Sequence, residues 1–335
     1  MKKLCILLLS LALAVSFGIG HATAADPQYT MKMVTYHAPN LAFTFKNMAK
    51  NIETMSGGRI KVNLFVGGEL VSSSDSLKAV RAGTIQIAHG SAYHWDEMKS
   101  AGVESGMPMT WVSAVESEVL WENMGFKDLV AKTYDAAGVH YLGEVWIAPY
   151  AITTKKPITG IADLQKIKIR ATTGPAKMFN KLNIRTVYLK PEEMYMALST
   201  GQIDGVLYGG AAEYKELNFP EVCPYYCSTY ITNPISDCFI INKKLWEELP
   251  ADLKAILEHA AYRGRWEYYS WLMGEEYKIL ETAYKGKVTT LDPQSVAKMT
   301  EAAQVIWEEE AKASPLAGQM VEKMKGLLRS AGRLK

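Results

Sequence analysis

The pattern that opens the structured part of the chain is alternation. From Tyr29 to Tyr36, Met31, Met33 and Thr35 alternate with Lys32 and Val34, the period of two expected of a half-buried strand. The period then changes. Leu41, Phe45, Met48 and Ile52 recur at i, i+4, i+7 and i+11, one face of a helix that stops at Ser56-Gly57-Gly58. Residues 60–65 predict a second strand, 74–82 a second helix ended by Gly83, and 84–88 a third strand. Strand and helix in turn, with short glycine-marked links, is the pattern of a mostly parallel sheet. Ligands of such sheets sit beyond the carboxyl ends of the strands. Residues 37–40 and 90–95 therefore fall on one candidate rim, with His37 and Ser91 among its polar groups.

A second unit of similar pattern follows. Residues 144–153 predict a buried crossing strand. Strands at 166–171, 186–189 and 203–208 then enclose helices at 175–182 and 191–200, the latter with Pro191 in its first turn, where the missing N–H costs nothing. The last third is helical. Apolar positions from Leu253 to Met273 support a helix from Pro250 to about Tyr284, at ~1.5 Å per residue long enough to lie across two lobes. Asp292 caps a further helix with Pro293 at its first position, and Pro315 begins another. The expected class is α/β. Lobe I takes 25–150 with about 234–251, lobe II takes 151–233 with about 286–335, and 252–285 form the spanning helix.

The amino terminus adds an address. Lys2 and Lys3, an apolar run from Leu4 to about Ile19 and the small-residue site Ala22-Thr23-Ala24 predict a signal peptide over 1–24. A freely diffusing protein outside the cytoplasmic membrane, with no membrane insertion after processing, is the expectation. The chain has 37 basic and 35 acidic residues, and losing Lys2 and Lys3 balances them. That balance argues against a nucleic-acid or anionic-membrane partner held by bulk charge. Cys223, Cys227 and Cys238 remain, an odd number. A Cys227–Cys238 or a Cys223–Cys227 bridge is open, and sequence does not choose. The spacing matches no zinc site and the six histidines are scattered, so neither a metal nor another cofactor is expected.

Motifs for catalysis are missing. The chain has no G-x-S-x-G elbow, no phosphate-binding glycine loop and no H-E-x-x-H, so no catalytic residues are assigned and an enzyme is not expected. Arg170 ends the strand of Lys168-Ile169-Arg170-Ala171-Thr172, where its rigid fork of donors matches a carboxylate. Tyr93, Trp95, Trp146, Tyr150 and Tyr208 fall at predicted strand ends on the same rim. Together they suggest a pocket with an apolar wall and a few polar handles.

The run from Leu164 to Arg170, with Leu198-Ser199-Thr200-Gly201-Gln202-Ile203-Asp204-Gly205, resembles the solute-binding component of TRAP transporters, the DctP-type family. Gly67-Gly68 and the later Val80-Arg81-Ala82-Gly83-Thr84-Ile85-Gln86-Ile87-Ala88 carry the same resemblance, which covers essentially the whole chain. It implies a two-lobed periplasmic-binding-protein-like fold with crossing strands and a long helix spanning both lobes. It implies a periplasmic protein that captures an organic monocarboxylate, a 2-oxo acid or an aromatic acid, and delivers it to small and large membrane permease subunits. In that family the arginine matching Arg170 grips the ligand carboxylate. In the keto-acid-binding branch a Gln and a Glu help hold a cation; the matching positions here are Pro149 and Leu207. A ligand-presenting receptor for a sensor kinase is the alternative reading.

Overall fold

The computed structural model describes residues 26–334 apart from Ala38, Asn40, Lys99 and Lys190. The expected signal peptide over 1–24 lies outside the described residues. Strands β1 (Tyr29–Thr35), β2 (Ile60–Phe65), β3 (Ile87–Gly90) and β4 (Val139–Ile147) share one sheet with β10 (Ile235–Asn242), in the order β2-β1-β3-β10-β4. The other sheet contains β5 (Tyr150–Thr154), β6 (Lys168–Arg170), β7 (Arg185–Val187), β8 (Gly205–Leu207), β9 (Tyr225–Thr232) and β11 (Val288–Thr289), ordered β11-β9-β5-β8-β6-β7. β1 is parallel to β2 and β3, while β10 runs antiparallel to β3 and β4. In the second sheet β6 is parallel to β7 and β8, and β5 is antiparallel to β8 and β9.

Two chain crossings join the sheets. The strand expected over 144–153 is two strands, β4 and β5, divided at Ala148-Pro149, because proline has no N–H to give a ladder. β9 and β10 make the return crossing through Asn233-Pro234.

Helices cover the sheets. Helix α1 (Phe43–Met55) buries Phe45, Met48 and Ile52 against the first sheet, at about 1.5–3 kcal/mol for each such side chain. The other main helices are α2 (Ser76–Arg81), α3 (Phe126–Ala136), α4 (Thr173–Lys181), α5 (Pro191–Ser199), α6 (Ala211–Glu216), α7 (Ala251–Thr282), α8 (Pro293–Ala311) and α9 (Pro315–Ser330). α7 has 32 residues, about 48 Å of helix. Its first half packs on β4 and α1, where Gly264 lets Met48 come close, and its far half meets α6. The expected spanning helix is thus present.

α8 and α9 start with proline at their first positions, and Asp292 and Ser314 accept the capping bonds from Ser295 N at 2.8 Å and Ala317 N at 3.0 Å. α8 packs on α4 of lobe II, but α9 packs on α3 of lobe I. The carboxyl-terminal segment therefore straddles the lobes instead of belonging to lobe II alone. Cys223, Cys227 and Cys238 are buried and free, so neither open bridge forms. Cys227 and Cys238 lie on different sheets. No helix among the described residues is long and apolar enough to cross a membrane.

Candidate functional site

On the lobe II side the central group is Arg170, the last residue of β6 and only 2 % exposed. Its Nε donates to the Leu189 carbonyl at 3.0 Å and its Nη1 to the Leu207 carbonyl at 3.2 Å. Three of its five N–H donors remain on the outer nitrogens. Among the described residues, no carboxylate forms a salt bridge with it. Tyr188 and Tyr208 stand over the guanidinium instead, with ring centroids 5.2 and 5.3 Å away. Burial pulls its pKa below the usual arginine value, against the opposing pull of Tyr150, Tyr188 and Tyr208. Arginine does not lose its proton in response, so the charge stays and calls for an anion.

Tyr208 and Tyr150 sit beside this cation because the local fold holds them there. Tyr214, fully buried, accepts from the N–H groups of Tyr208 at 2.9 Å and Gly209 at 3.2 Å, and donates to the Ala151 carbonyl at 2.6 Å. One hydroxyl so ties the end of β8 to the start of β5. Burial pushes the Tyr150 hydroxyl up to about 12, Glu213 adds to the rise, and Arg170 opposes it. Gly209 and Gly210 let two carboxylates approach the backbone. A Cβ on Gly209 would stand 1.7 Å from Glu213 Oε2, and one on Gly210 would stand 2.6 Å from Glu276 Oε2. The freed space is used. Gly210 N donates to Glu213 at 3.0 Å and Ala212 N to Glu276 at 3.1 Å. Burial pushes the Glu213 carboxyl up to about 7.

Lobe I presents a different wall. Tyr36 and His37 follow β1 and His89 lies on β3; the antiparallel pairing of Cys238 with Gly90 brings Asp237 of β10 to the same rim. Tyr36 donates to Asp237 Oδ2 at 2.5 Å, and His89 Nε2 stands 3.4 Å from the same oxygen. His89 Nδ1 is 2.8 Å from Thr35 Oγ1, and His37 Nε2 is 3.3 Å from the Tyr268 hydroxyl. The rings of His37 and His89 stack at 4.9 Å. Burial takes His37 down to about 3, with His89 adding to the fall, so its imidazole is neutral. Burial alone would raise Asp237, but the pull of His89 and the bond from Tyr36 hold it below the ordinary range.

The expected rim residues separate on inspection. Arg170, Tyr150 and Tyr208 come together. Tyr93 follows β3 and is 63 % exposed. Ser91 and His37 are on the lobe I wall, where Ser91 N donates to His94 Nδ1 at 3.3 Å. Trp95 and Trp146 do not face the cleft, and both are corrections. Trp95 folds back under β3, where Gly90 leaves room for its ring, and its Nε1 donates to the Ser73 carbonyl at 3.0 Å and Ser76 Oγ at 3.1 Å. Trp146 points to α7 and packs on Trp266, Tyr269 and the Arg265 guanidinium. Lying at a strand end does not fix the face on which a ring lies. The histidines are not scattered in space either: His37 and His89 meet Asp237, a possible metal-ligand set. Sequence reasoning missed His89, Asp237, Glu213 and Tyr188. The position matching the keto-acid branch's cation ligand at Leu207 offers only a buried apolar side chain, and its carbonyl is taken by Arg170.

Comparison with known proteins fits this architecture. Residues 33–313 match the sequence profile of DctP, bacterial extracellular solute-binding protein family 7. A monocarboxylate 2-oxoacid-binding periplasmic protein from Nostoc is 24% identical over 243 residues, 71% of this chain. The match spans 66% of that relative, just under two thirds of its length. The apo, open TRAP periplasmic solute-binding protein of Rhodobacter sphaeroides superposes with a TM-score of 0.82 at 20% identity, covering 91% of this chain and 99% of that one. A TRAP periplasmic solute-binding protein from Colwellia psychrerythraea with bound calcium and pyruvate gives 0.76 at 22%, covering 90% and 95%. The fold is shared with TRAP periplasmic binding proteins, and the profile match, across most of the sequence, assigns the chain to the DctP family of bacterial extracellular solute-binding proteins.

Proposed function

We propose that this chain captures a monocarboxylate, a 2-oxo acid or an aromatic acid, in the cleft between its lobes and hands it to TRAP membrane subunits in the periplasm. The observation that carries this reading is Arg170: a buried cation with three free donors, walled by tyrosines and with no carboxylate partner among the described residues. A buried charge without a partner is costly, so an anion that supplies the partner stabilises the form in which it is enclosed. Arg170 clamps the carboxylate. Tyr150, Tyr188 and Tyr208 face the organic part from lobe II; Tyr93, Ser91 and His37 approach from lobe I. The Nostoc relative's monocarboxylate 2-oxoacids and the pyruvate of the Colwellia protein support the ligand class.

The test is thermal unfolding with a panel of pyruvate, longer 2-oxo acids and benzoate. At least one acid should raise the melting temperature. Arg170→Ala should abolish that rise, since removing one member of a buried charged pair costs about 2–5 kcal/mol of binding. Silence of the wild-type protein across the whole panel, or an undiminished response in Arg170→Ala, would refute the reading.

A further inference from the structure

The lobe I wall holds chemistry that a carboxylate clamp does not need. His37, His89 and Asp237 are all buried, and one ligand atom from each lies within 4.8 Å of the others. Zinc binds imidazole nitrogen and carboxylate oxygen at about 2.0–2.2 Å, so neighbouring ligand atoms of a tetrahedral site stand about 3.4 Å apart. His89 Nε2 and Asp237 Oδ2 are 3.4 Å apart. Beyond that contact with Asp237, the buried His89 Nε2 has no hydrogen-bond partner among the described residues. The ligand atom of His37 lies within 4.8 Å of both.

The surroundings are those of a supported metal site. His89 is oriented from behind, its Nδ1 2.8 Å from the Thr35 hydroxyl; His37 Nε2 stands 3.3 Å from the Tyr268 hydroxyl, which leaves its Nδ1 for an ion, and the Tyr36 hydroxyl at 2.5 Å holds the Asp237 oxygen that faces His89. The calcium of the Colwellia structure is a hard cation that takes oxygen ligands, whereas two imidazoles and one carboxylate select a first-row transition metal.

We propose that His37, His89 and Asp237 bind one divalent transition-metal ion, zinc or a similar ion, on the lobe I wall of the cleft. Three protein ligands leave at least one coordination position for water or for an oxygen of a bound acid. This site is separate from Arg170 and does not depend on the monocarboxylate reading.

The experiment is titration of the untagged, chelator-treated protein with Co²⁺, followed by its visible bands, and with Zn²⁺, followed by calorimetry. The expected result is one ion per chain. His89→Ala and Asp237→Asn should each weaken binding by about 100-fold or more, judged against the 10- to 100-fold typical of outer-shell changes. Arg170→Ala and His140→Ala should leave it unchanged. Circular dichroism shows whether each variant folds, and the wild-type titration decides alone if one does not. Failure of the wild-type protein to take up either ion, or equal binding by folded His89→Ala and Asp237→Asn, would overturn the proposal.

Discussion

Glu104 shows how a single buried group sets a pH dependence. It is 5 % exposed, accepts from the Tyr134 hydroxyl at 2.8 Å, and has no bond to its second oxygen. Burial pushes its carboxyl up to about 8, with the bonds from Tyr134 and Ser100 opposing. The folded chain therefore holds this proton more tightly than the unfolded chain, whose value is near 4.5. The stability it contributes is fully present below about pH 4.5 and is lost as pH rises toward about 8, at about 1.4 kcal/mol per unit. Glu104→Gln should remove this slope and be the more stable protein at pH 8. Urea unfolding of both proteins at several pH values between 5 and 8 checks it; parallel curves would contradict it. At this scale Arg170 stood out because its fork of donors suits a carboxylate and because the segment around it resembles the TRAP solute-binding family. Trp95 was not: its position depends on the space that Gly90 leaves, a contact that no local pattern encodes.

Among the elements, α7 is fixed to lobe I by charge as well as by apolar packing. Arg265 is 1 % exposed, donates to Glu118 at 2.5 Å, pairs with Glu144 of β4 and lies 4.3 Å from the Trp146 ring. Arg265→Ala leaves Glu144 as a buried charge without its partner, a loss of about 3–5 kcal/mol. The double variant Arg265→Met with Glu144→Gln should recover much of that. Denaturant titration measures both, and a single-variant loss below about 1 kcal/mol would show that the pairing is dispensable. The helices were readable from period and caps: Asp292 with Pro293 and the run into α7 both appear as expected. Missed elements include α3, although its buried Phe126, Leu129, Val130 and Tyr134 recur at i, i+3, i+4 and i+8, and the strands β9 and β10, whose nearly continuous burial gives no alternation to read. Without β10 the meeting of His89 and Asp237 could not be foreseen, because it depends on a strand pairing between residues 148 positions apart.

Across the whole molecule, two sheets are joined by paired crossings, and each carries a different chemistry near its strand ends. Lobe II brings a cation with tyrosine walls; lobe I brings imidazoles and a carboxylate. The α/β class and the spanning helix follow from strand–helix alternation and from an unusually long apolar stripe. The place of α9 does not, since an amphipathic helix near the end of a chain has no sequence mark for the lobe it covers. The central claim is that an organic acid is held by its carboxylate on Arg170. A crystal structure of the protein with an acid that raises its melting temperature tests this most directly. The account predicts both carboxylate oxygens at about 2.7–2.9 Å from the Arg170 guanidinium nitrogens, with the organic part against Tyr150 and Tyr208. An acid bound in the cleft with its carboxylate on other groups, and Arg170 still unpaired, would contradict it.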